Sequence, residues 1–139
     1  MAKECWTFDH PADLGLEARG DSLAELFEAL GEGLADQICP RDTVRGEQTR
    51  HLEAEADDRE SLLVEFLAAL LRLFDLERFL VSSVRVERID EASAAATVSG
   101  ETYDPARHEI GAEVKAVTYH ELKVAQEGDS WTARVIVDV

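Results

Sequence analysis

The fold is decided by residues 61–89, which read SLLVEFLAALLRLFDLERFLVSSVRVERI. Leucine and phenylalanine recur at spacings of three and four as far as Arg78, which predicts an amphipathic helix of about 18 residues, roughly 27 Å long. From Phe79 onward the apolar residues recur at close to every second position, which predicts a strand ending near Ile89. The wide apolar face of the helix indicates that nearly all of it lies in the core.

The residues before this stretch predict two strands, a helix and a third strand. Short alternating segments at residues 5–8 and 14–18 predict strands on either side of a turn. Ser22 then starts a capping-box sequence, which is typical of a helix N-terminus, and Pro40 ends the apolar stripe that follows. Residues 43–56 alternate again, so a strand is predicted to lead into the long helix, and Asp57 or Asp58 before Glu60 predicts the N-terminal cap of that helix.

The residues after it predict consecutive strands. Alternation over residues 94–102 predicts a strand, and residues 103–111 predict a loop. Residues 114–124 alternate throughout and predict one continuous strand. A Gly-Asp pair at residues 128–129 predicts a hairpin turn, after which residues 131–137 predict the last strand.

Two main helices among these strands predict an α+β fold, with a mixed or antiparallel sheet and both helices on one face. The 139 residues and the 45% apolar content fit a single domain, residues 1–139, with one core. The longest apolar run, residues 66–71, is too short to cross a bilayer, and no signal-peptide core is present, so a cytoplasmic location is expected. Cys5 and Cys39 fit this compartment as small buried apolar residues rather than a disulfide.

The charge balance argues against direct nucleic-acid binding. The 30 acidic residues and 14 lysines and arginines give a net charge of −16. Such a surface repels phosphates on average, and the basic residues are scattered singly among acids rather than grouped in a patch. The acidity favours solubility, and adaptation to a salty cytoplasm is an alternative that fits the absence of asparagine.

Carboxylates near both ends of the chain form a candidate cation site. Asp138 is penultimate, so its side chain lies beside the terminal carboxylate of Val139, and such a pair suits a hard cation. A frayed, solvated end is the alternative, although the β-branched run before Asp138 would anchor this end in a sheet. Asp13, in the turn Asp-His-Pro-Ala-Asp at residues 9–13, is either a turn former or a third oxygen ligand. Oxygen ligands alone favour Ca²⁺ or Mg²⁺ over zinc.

The segment from Lys115 to Lys123 and the search for enzyme motifs give weaker indications. In a strand, Lys115 and Lys123 would share one face and His120 would lie on the other, where a purely structural histidine is the plainer interpretation. No phosphate-binding glycine loop and no nucleophile elbow occurs in the sequence. Acidic pairs are too abundant to single out an acid–base pair, so an enzyme such as a metal-dependent hydrolase has no identifiable catalytic residue.

Three segments together resemble the archease family. They are DHPADLG at residues 9–15, EVKAVTYHELKV at residues 113–124 and VIVDV at residues 135–139. They occur in the family's order, and the resemblance extends over nearly the whole chain. Pro11 stands where the family usually has threonine, whereas Asp13 is retained.

The resemblance implies a fold, a metal and a partner. The fold is a strand-helix-strand-strand domain carrying an inserted helix-containing unit. The metal is a divalent cation, usually calcium, with ligands at Asp13, Asp138 and Val139. The partner is the GTP-dependent RNA ligase of tRNA splicing and RNA repair, which joins 3′-phosphate or 2′,3′-cyclic phosphate ends to 5′-hydroxyl ends.

The resemblance also implies that the chain is an activator rather than an enzyme, promoting guanylylation and turnover of the ligase. An acidic surface then suits docking to a basic, RNA-binding enzyme. His10, Lys115 and His120 are expected to contact the ligase or a phosphate. The alternative is a chaperone or assembly factor for RNA-processing enzymes, without a role in the nucleotide step.

Overall fold

A computed structural model describes residues 3–10 and 13–139, apart from the side chains of Asp9 and His10. In chain order the elements are β1 (Glu4–His10), β2 (Asp13–Gly20), α1 (Leu23–Ile38), β3 (Gln48–Glu55), α2 (Arg59–Glu77), β4 (Phe79–Ile89), β5 (Ser93–Thr102), β6 (Ala116–Val117), β7 (Lys123–Glu127) and β8 (Ser130–Asp138). A 3₁₀ turn, Arg41–Thr43, follows α1. None of the helices in these residues is long and apolar enough to cross a membrane.

The strands form two antiparallel sheets, which confirms the predicted α+β class. One sheet has the order β1-β2-β8-β6, with β7 also pairing with β8, and the other has the order β3-β5-β4. The elements from β3 to β5, including α2, therefore form a unit inserted between the first and last strands of the larger sheet. This matches the inserted helix-containing unit that the resemblance implied.

Both helices begin where the sequence predicts a cap. The Ser22 hydroxyl accepts a hydrogen bond from the Glu25 N–H at 3.1 Å, and the Glu25 carboxylate accepts one from the Asp21 N–H at 3.1 Å. At α2 the Asp58 carboxylate accepts a hydrogen bond from the Ser61 N–H at 2.8 Å. That bond lowers the pKa of Asp58, because it stabilises the charged form. Both caps satisfy N–H groups that a helix leaves unpaired.

The core lies between the two helices and the sheets, as the apolar face of residues 61–78 predicts. Phe27 of α1 and Phe66 of α2 are fully buried, with ring centroids 5.3 Å apart. Both cysteines are free: Cys39 is buried, and Cys5 is half-buried. Burial, with a smaller contribution from the charge of Asp36, raises the pKa of Cys5 to about 12, so its thiol stays protonated and unreactive.

Two glutamates of α1 join the helix to the edge of the smaller sheet. The Glu32 carboxylate accepts a hydrogen bond from the Val84 N–H at 3.0 Å, and the Glu28 carboxylate accepts one from the Val86 N–H at 2.9 Å. Residues four apart on a helix and two apart on a strand have similar spacings, so the two pairs match. The ammonium nitrogen of Lys3 lies 3.4 Å from the Glu28 carboxylate and 3.3 Å from the Glu32 carboxylate. The edge of β4 is thereby closed by the helix.

The predicted continuous strand over residues 114–124 is wrong. In the structure, residues 118–122 separate β6 from β7, and we call these five residues the bulge. Val117 pairs with Val137, and Lys123 pairs with Arg134. The five residues of the bulge therefore lie opposite only two residues of β8, 135 and 136. Glu121 in this bulge has φ 52°, a left-handed conformation that a strand does not allow. The alternating pattern of the sequence continues through the bulge although the strand does not. The prediction that Lys115, His120 and Lys123 lie on two faces of one strand is therefore wrong.

Two other boundaries also differ from the prediction. The strand predicted over residues 43–56 begins only at Gln48, because the 3₁₀ turn and an irregular segment precede it. The loop predicted to end at residue 111 continues to residue 115. This longer segment, residues 103–115, leads from β5 to β6 and is fixed by side-chain and main-chain contacts described below.

Candidate metal centre

The strand register brings the two ends of the larger sheet's central strands together. Asp13, the first residue of β2, pairs directly with Asp138, the last residue of β8. On the other side of β8, Asp138 pairs with Ala116, and its carbonyl accepts a hydrogen bond from the Lys115 N–H at 2.8 Å. The predicted juxtaposition of Asp13 with Asp138 is therefore present, and strands on both sides hold Asp138. We call Asp13 and Asp138 the acidic corner.

The two carboxylates of the acidic corner contact each other. The pKa of Asp138 is raised, first because its protonated form donates a hydrogen bond to Asp13, then by burial and by the negative charge of Asp13. The ammonium group of Lys115 opposes this shift. Two like charges so close favour either a shared proton or a cation between them. The donors are oxygens only, which fits a hard divalent cation.

Two carboxylates are too few ligands for calcium, which takes six to eight oxygens in proteins. Val139 follows β8 directly, is 43% exposed, and carries a main-chain oxygen beside Asp138. In the part of the chain that the structure describes, no three histidine, cysteine, aspartate or glutamate side chains are grouped as metal ligands. A cation here would therefore need oxygens of Val139, of water or of a partner in addition to the two aspartates.

The turn that leads into Asp13 is described only in part. The backbone of His10 pairs with that of Asp13 at the end of β1. The side chain of His10, predicted as a partner or phosphate contact, and the whole of Pro11 lie outside the described residues. Asp13 itself is described, and β1 and β8 flank it on either side.

A tightly packed patch lies behind the acidic corner. Gly15 pairs with Phe8, and a β-carbon on Gly15 would lie 2.1 Å from the Phe8 ring, so only glycine allows the ring to cover β2 here. The guanidinium carbon of Arg134 lies 3.9 Å from the centroid of that ring, and the group also bonds Glu17 at 2.7 Å. This packing explains the glycine that follows Asp13 and Leu14 in the first family-like segment.

The other two predicted contact residues occupy different positions. His120 lies in the bulge, exposed, with its ring nitrogen 3.2 Å from the Glu121 carboxylate. Thr118, at the start of the bulge, donates through its hydroxyl to the carbonyl of Ile136 at 2.8 Å, which places the bulge two residues from Asp138. Lys115 is exposed beside Asp138 and faces a groove that is described below. The bulge and Lys115 therefore both approach the acidic corner along β8.

Sequence reasoning missed a polar cluster in which the exposed Arg107 contacts the buried side chains of Glu101 and His108. Glu101 is the penultimate residue of β5, and its buried carboxylate accepts hydrogen bonds from the Arg45 N–H at 2.7 Å and from the Arg107 guanidinium. The His108 ring nitrogen Nε2 lies 3.0 Å from the same carboxylate. Burial would raise the pKa of Glu101, but these hydrogen bonds and the charge of Arg107 outweigh it and lower the pKa to about 2.

The hydrogen bonds of His108 define its protonation. The Asp104 N–H donates to Nδ1 at 2.9 Å, so Nδ1 carries no proton, and the Nε2–H donates to Glu101. The ring is therefore a neutral tautomer that connects the end of β5 to the following segment. With so many acids in the chain, no sequence signal distinguishes Glu101 from the exposed carboxylates.

The segment over residues 103–115 is docked on the end of α1. The Gly111 N–H donates to the Ile38 carbonyl at 2.8 Å, and the Ala112 N–H donates to the Gln37 carbonyl at 2.7 Å. A β-carbon on Gly111 would lie 2.8 Å from the Gln37 carbonyl oxygen, so glycine permits this close approach. The buried cluster at one end and these bonds at the other position Lys115 beside Asp138.

Comparison with known proteins gives the relatives of this chain. The model of the Archease protein family matches residues 6–139. The chain is 38% identical to the "Protein archease" of Pyrococcus abyssi, covering 95% of this chain and 96% of that protein. It is also 38% identical to the "Protein archease" of Methanosarcina acetivorans, covering 94% and 92% of the two chains.

Two solved structures share the fold. The solution structure of Methanobacterium thermoautotrophicum protein 1598 superposes with a TM-score of 0.80 at 31% identity, covering 97% of this chain and 98% of that one. The crystal structure of a Thermotoga maritima archease, described as a possible chaperone, superposes with a TM-score of 0.67 at 22% identity, covering 95% and 94%. At the latter identity the likeness concerns the fold alone.

Proposed function

Because the chain belongs to the archease family, we propose that it activates a GTP-dependent RNA ligase of tRNA splicing and RNA repair in the cytoplasm. It acts as an accessory protein, and the ligase supplies the nucleophile that receives the guanylyl group. The ligase joins 3′-phosphate or 2′,3′-cyclic phosphate ends of RNA to 5′-hydroxyl ends. The activator promotes guanylylation of the ligase and sustains its turnover.

The observation that supports this proposal is the acidic corner. Asp13 and Asp138 lie side by side with contacting carboxylates, so their mutual repulsion is relieved when a divalent cation, most simply Ca²⁺, lies between them. Oxygens of Val139 complete the protein's share of the ligands. A bound divalent cation lowers the charge barrier when a phosphate is attacked. The two aspartates would hold that cation at the surface on which the ligase docks.

The charge of the whole chain supports docking to a basic protein rather than to RNA. A net charge of −16 repels the RNA backbone and attracts a surface that itself binds RNA. Near the corner, Tyr119 and Val139 are exposed apolar residues, at 53% and 43%, and His120 lies between Tyr119 and Glu121. Exposed aromatic residues at the edge of a charged site are typical of protein interfaces. Lys115 and His120 contact the ligase or its phosphate in this proposal.

Single-turnover guanylylation of the host's ligase, with and without this protein, tests the proposal. We expect the parent protein to increase the guanylylated fraction and Asp13→Ala to return it to the level of the ligase alone. Asp129→Ala, at an exposed hairpin position, is the matched control and should stimulate like the parent. Circular dichroism verifies that each variant is folded. Full stimulation by Asp13→Ala would remove the acidic corner from the mechanism.

The same experiment also tests the second candidate function, that of a chaperone or assembly factor without a role in the nucleotide step. The description of the Thermotoga maritima protein as a possible chaperone raises this candidate. An unchanged guanylylated fraction, together with a higher yield of soluble ligase, would support it. Labelled cyclic-phosphate RNA incubated with this protein alone should stay unreacted, because the proposed role contains no catalytic step.

A further inference from the structure

A groove of about 670 Å³ opens between the end of α2 and the segment over residues 103–115. Its floor is apolar and includes Leu71 and Val114, and Phe74 and Tyr103 line its wall with their rings 6.3 Å apart. A volume in the range of 300–1,000 Å³ is typical of sites for small organic ligands. This wall is preformed before any ligand binds, because the Glu101 cluster and the hydrogen bonds of residues 111 and 112 hold the segment over residues 103–115 in place.

Two cations, Arg78 and Lys115, line this groove. Arg78 forms no ion pair within residues 3–10 and 13–139, although the chain carries 30 acidic residues, whereas the charge of Lys115 acts on the Asp138 carboxylate. The Arg78 guanidinium carbon lies 4.9 Å from the centroid of the Phe74 ring, so the side chain is directed along the groove wall. Lys115 lies beside the acidic corner. Asp75 and Glu113 also line the groove, so the lining as a whole is mixed in charge.

The backbone of Arg78 is a second, independent observation. Arg78 ends α2 with φ 54° and ψ 34°, the left-handed conformation in which glycine or asparagine is favoured at this position. Its N–H bonds the carbonyls of Leu73 and Phe74, and its carbonyl accepts from the Tyr103 N–H at 2.7 Å. Arg78 therefore occupies a position at which the backbone conformation favours glycine. Strain of this kind is found at functional sites, where the side chain has a use.

We infer that this groove binds a free nucleotide. An unpaired guanidinium and an ammonium group recognise phosphates, and the guanidinium can do so through two hydrogen bonds. The ring of Tyr103 and the apolar floor offer a surface for a base, and the carboxylates of Asp75 and Glu113 can accept hydrogen bonds from ring N–H and amino groups. Inorganic phosphate would leave these apolar and carboxylate groups unused. The site goes beyond the proposed function, because its occupation requires no ligase.

Isothermal titration calorimetry of the purified full chain, with GTP, ATP and inorganic pyrophosphate in separate magnesium-containing titrations, tests the inference. We expect saturable binding of at least one nucleotide and weaker binding of pyrophosphate. Arg78→Gly should lower nucleotide affinity by about tenfold to a hundredfold, the effect of losing one charge-assisted contact. The melting temperature should stay the same or rise, because glycine suits this backbone. A merely structural Arg78 would instead leave binding unchanged.

Two matched variants complete the test. Arg72→Ala removes an exposed arginine of the same helix that does not line the groove, and it should bind nucleotide like the parent. Asp129→Ala, at an exposed hairpin position outside the groove lining, should also retain binding. Absence of saturable binding, or an equal loss with Arg72→Ala, would overturn the inference. Weaker binding of the ligase by Arg78→Gly, without nucleotide binding by the parent, would overturn it as well and assign the groove to protein docking.

Discussion

The acidic corner and the buried cluster around Glu101 use the same kind of side chain in opposite ways. In the corner, Asp138 contacts another carboxylate and its pKa is raised. In the cluster, Glu101 is more deeply buried, yet donors from Arg45, Arg107 and His108 surround it and lower its pKa to about 2. The number of donors facing a carboxylate, more than its burial, therefore decides whether it is satisfied within the fold. The Glu101 charge is balanced by donors within the fold, whereas Asp13 and Asp138 bring two like charges together at a site that suits a cation.

The largest effect is expected for Glu101→Gln. The substitution replaces the charged acceptor of the Arg45 N–H and the His108 Nε2–H by a neutral amide, which should lower the free energy of unfolding by about 2 kcal/mol. Urea denaturation followed by circular dichroism measures the change. Glu109→Gln, at an exposed position of the same segment, is the control and should stay within about 0.5 kcal/mol of the parent. An equally small loss of unfolding free energy in the Glu101→Gln variant would show that the cluster does not stabilise the segment over residues 103–115.

The pH dependence of stability should separate the two regions next. The folded-state pKa of Glu101 lies below its ordinary value of 4.5, so its contribution is present above pH 4.5 and is lost as the pH falls toward 2. For Asp138 the folded-state pKa is raised, so protonation stabilises the fold and the contribution is lost as the pH rises through that pKa. In the Glu101→Gln variant the melting temperature should fall less steeply than in the parent as the pH is lowered from 4.5 toward 2. An equally steep fall would contradict the contribution assigned to Glu101.

The smallest effect is expected for Asp138→Asn in metal-free buffer. Removing one of two adjacent like charges relieves repulsion between paired strands, so the melting temperature at neutral pH should rise by about 1–4 °C. The sign is opposite to that for Glu101→Gln. Differential scanning calorimetry in the presence of a chelator measures it. A fall in melting temperature would mean that the fold itself uses the Asp138 charge.

The sequence together with the family resemblance predicted the corner and not the cluster, for a physical reason. The β-branched run before Asp138 and the turn before Asp13 both predict strand ends, and the register of β2 with β8 brings those ends together. The partners of Glu101 come from two separate places in the chain, Arg45 and the adjacent pair Arg107 and His108, and only the folded backbone brings them together. Local pattern therefore predicts where strands end but not which of many acids is buried.

The bulge over residues 118–122 shows the same limit at the level of secondary structure. Alternation over residues 114–124 predicts a strand, but pairing with β8 is interrupted, and the left-handed conformation of Glu121 turns the chain outward. The helices were predicted closely because caps and apolar spacing are local signals, as Ser22 and Asp58 show. The division of the strands into two sheets depends on pairing between distant residues, which a single sequence does not reveal.

The central claim is that Asp13 and Asp138 together hold a divalent cation, and a calcium titration of the purified protein tests it most directly. We predict saturable calcium binding, with a stabilisation of about 2.7 kcal/mol when calcium exceeds its dissociation constant a hundredfold. Asp13→Asn should remove both effects, and Asp129→Asn should retain them. Calcium binding by Asp13→Asn that equals that of the parent would contradict the claim.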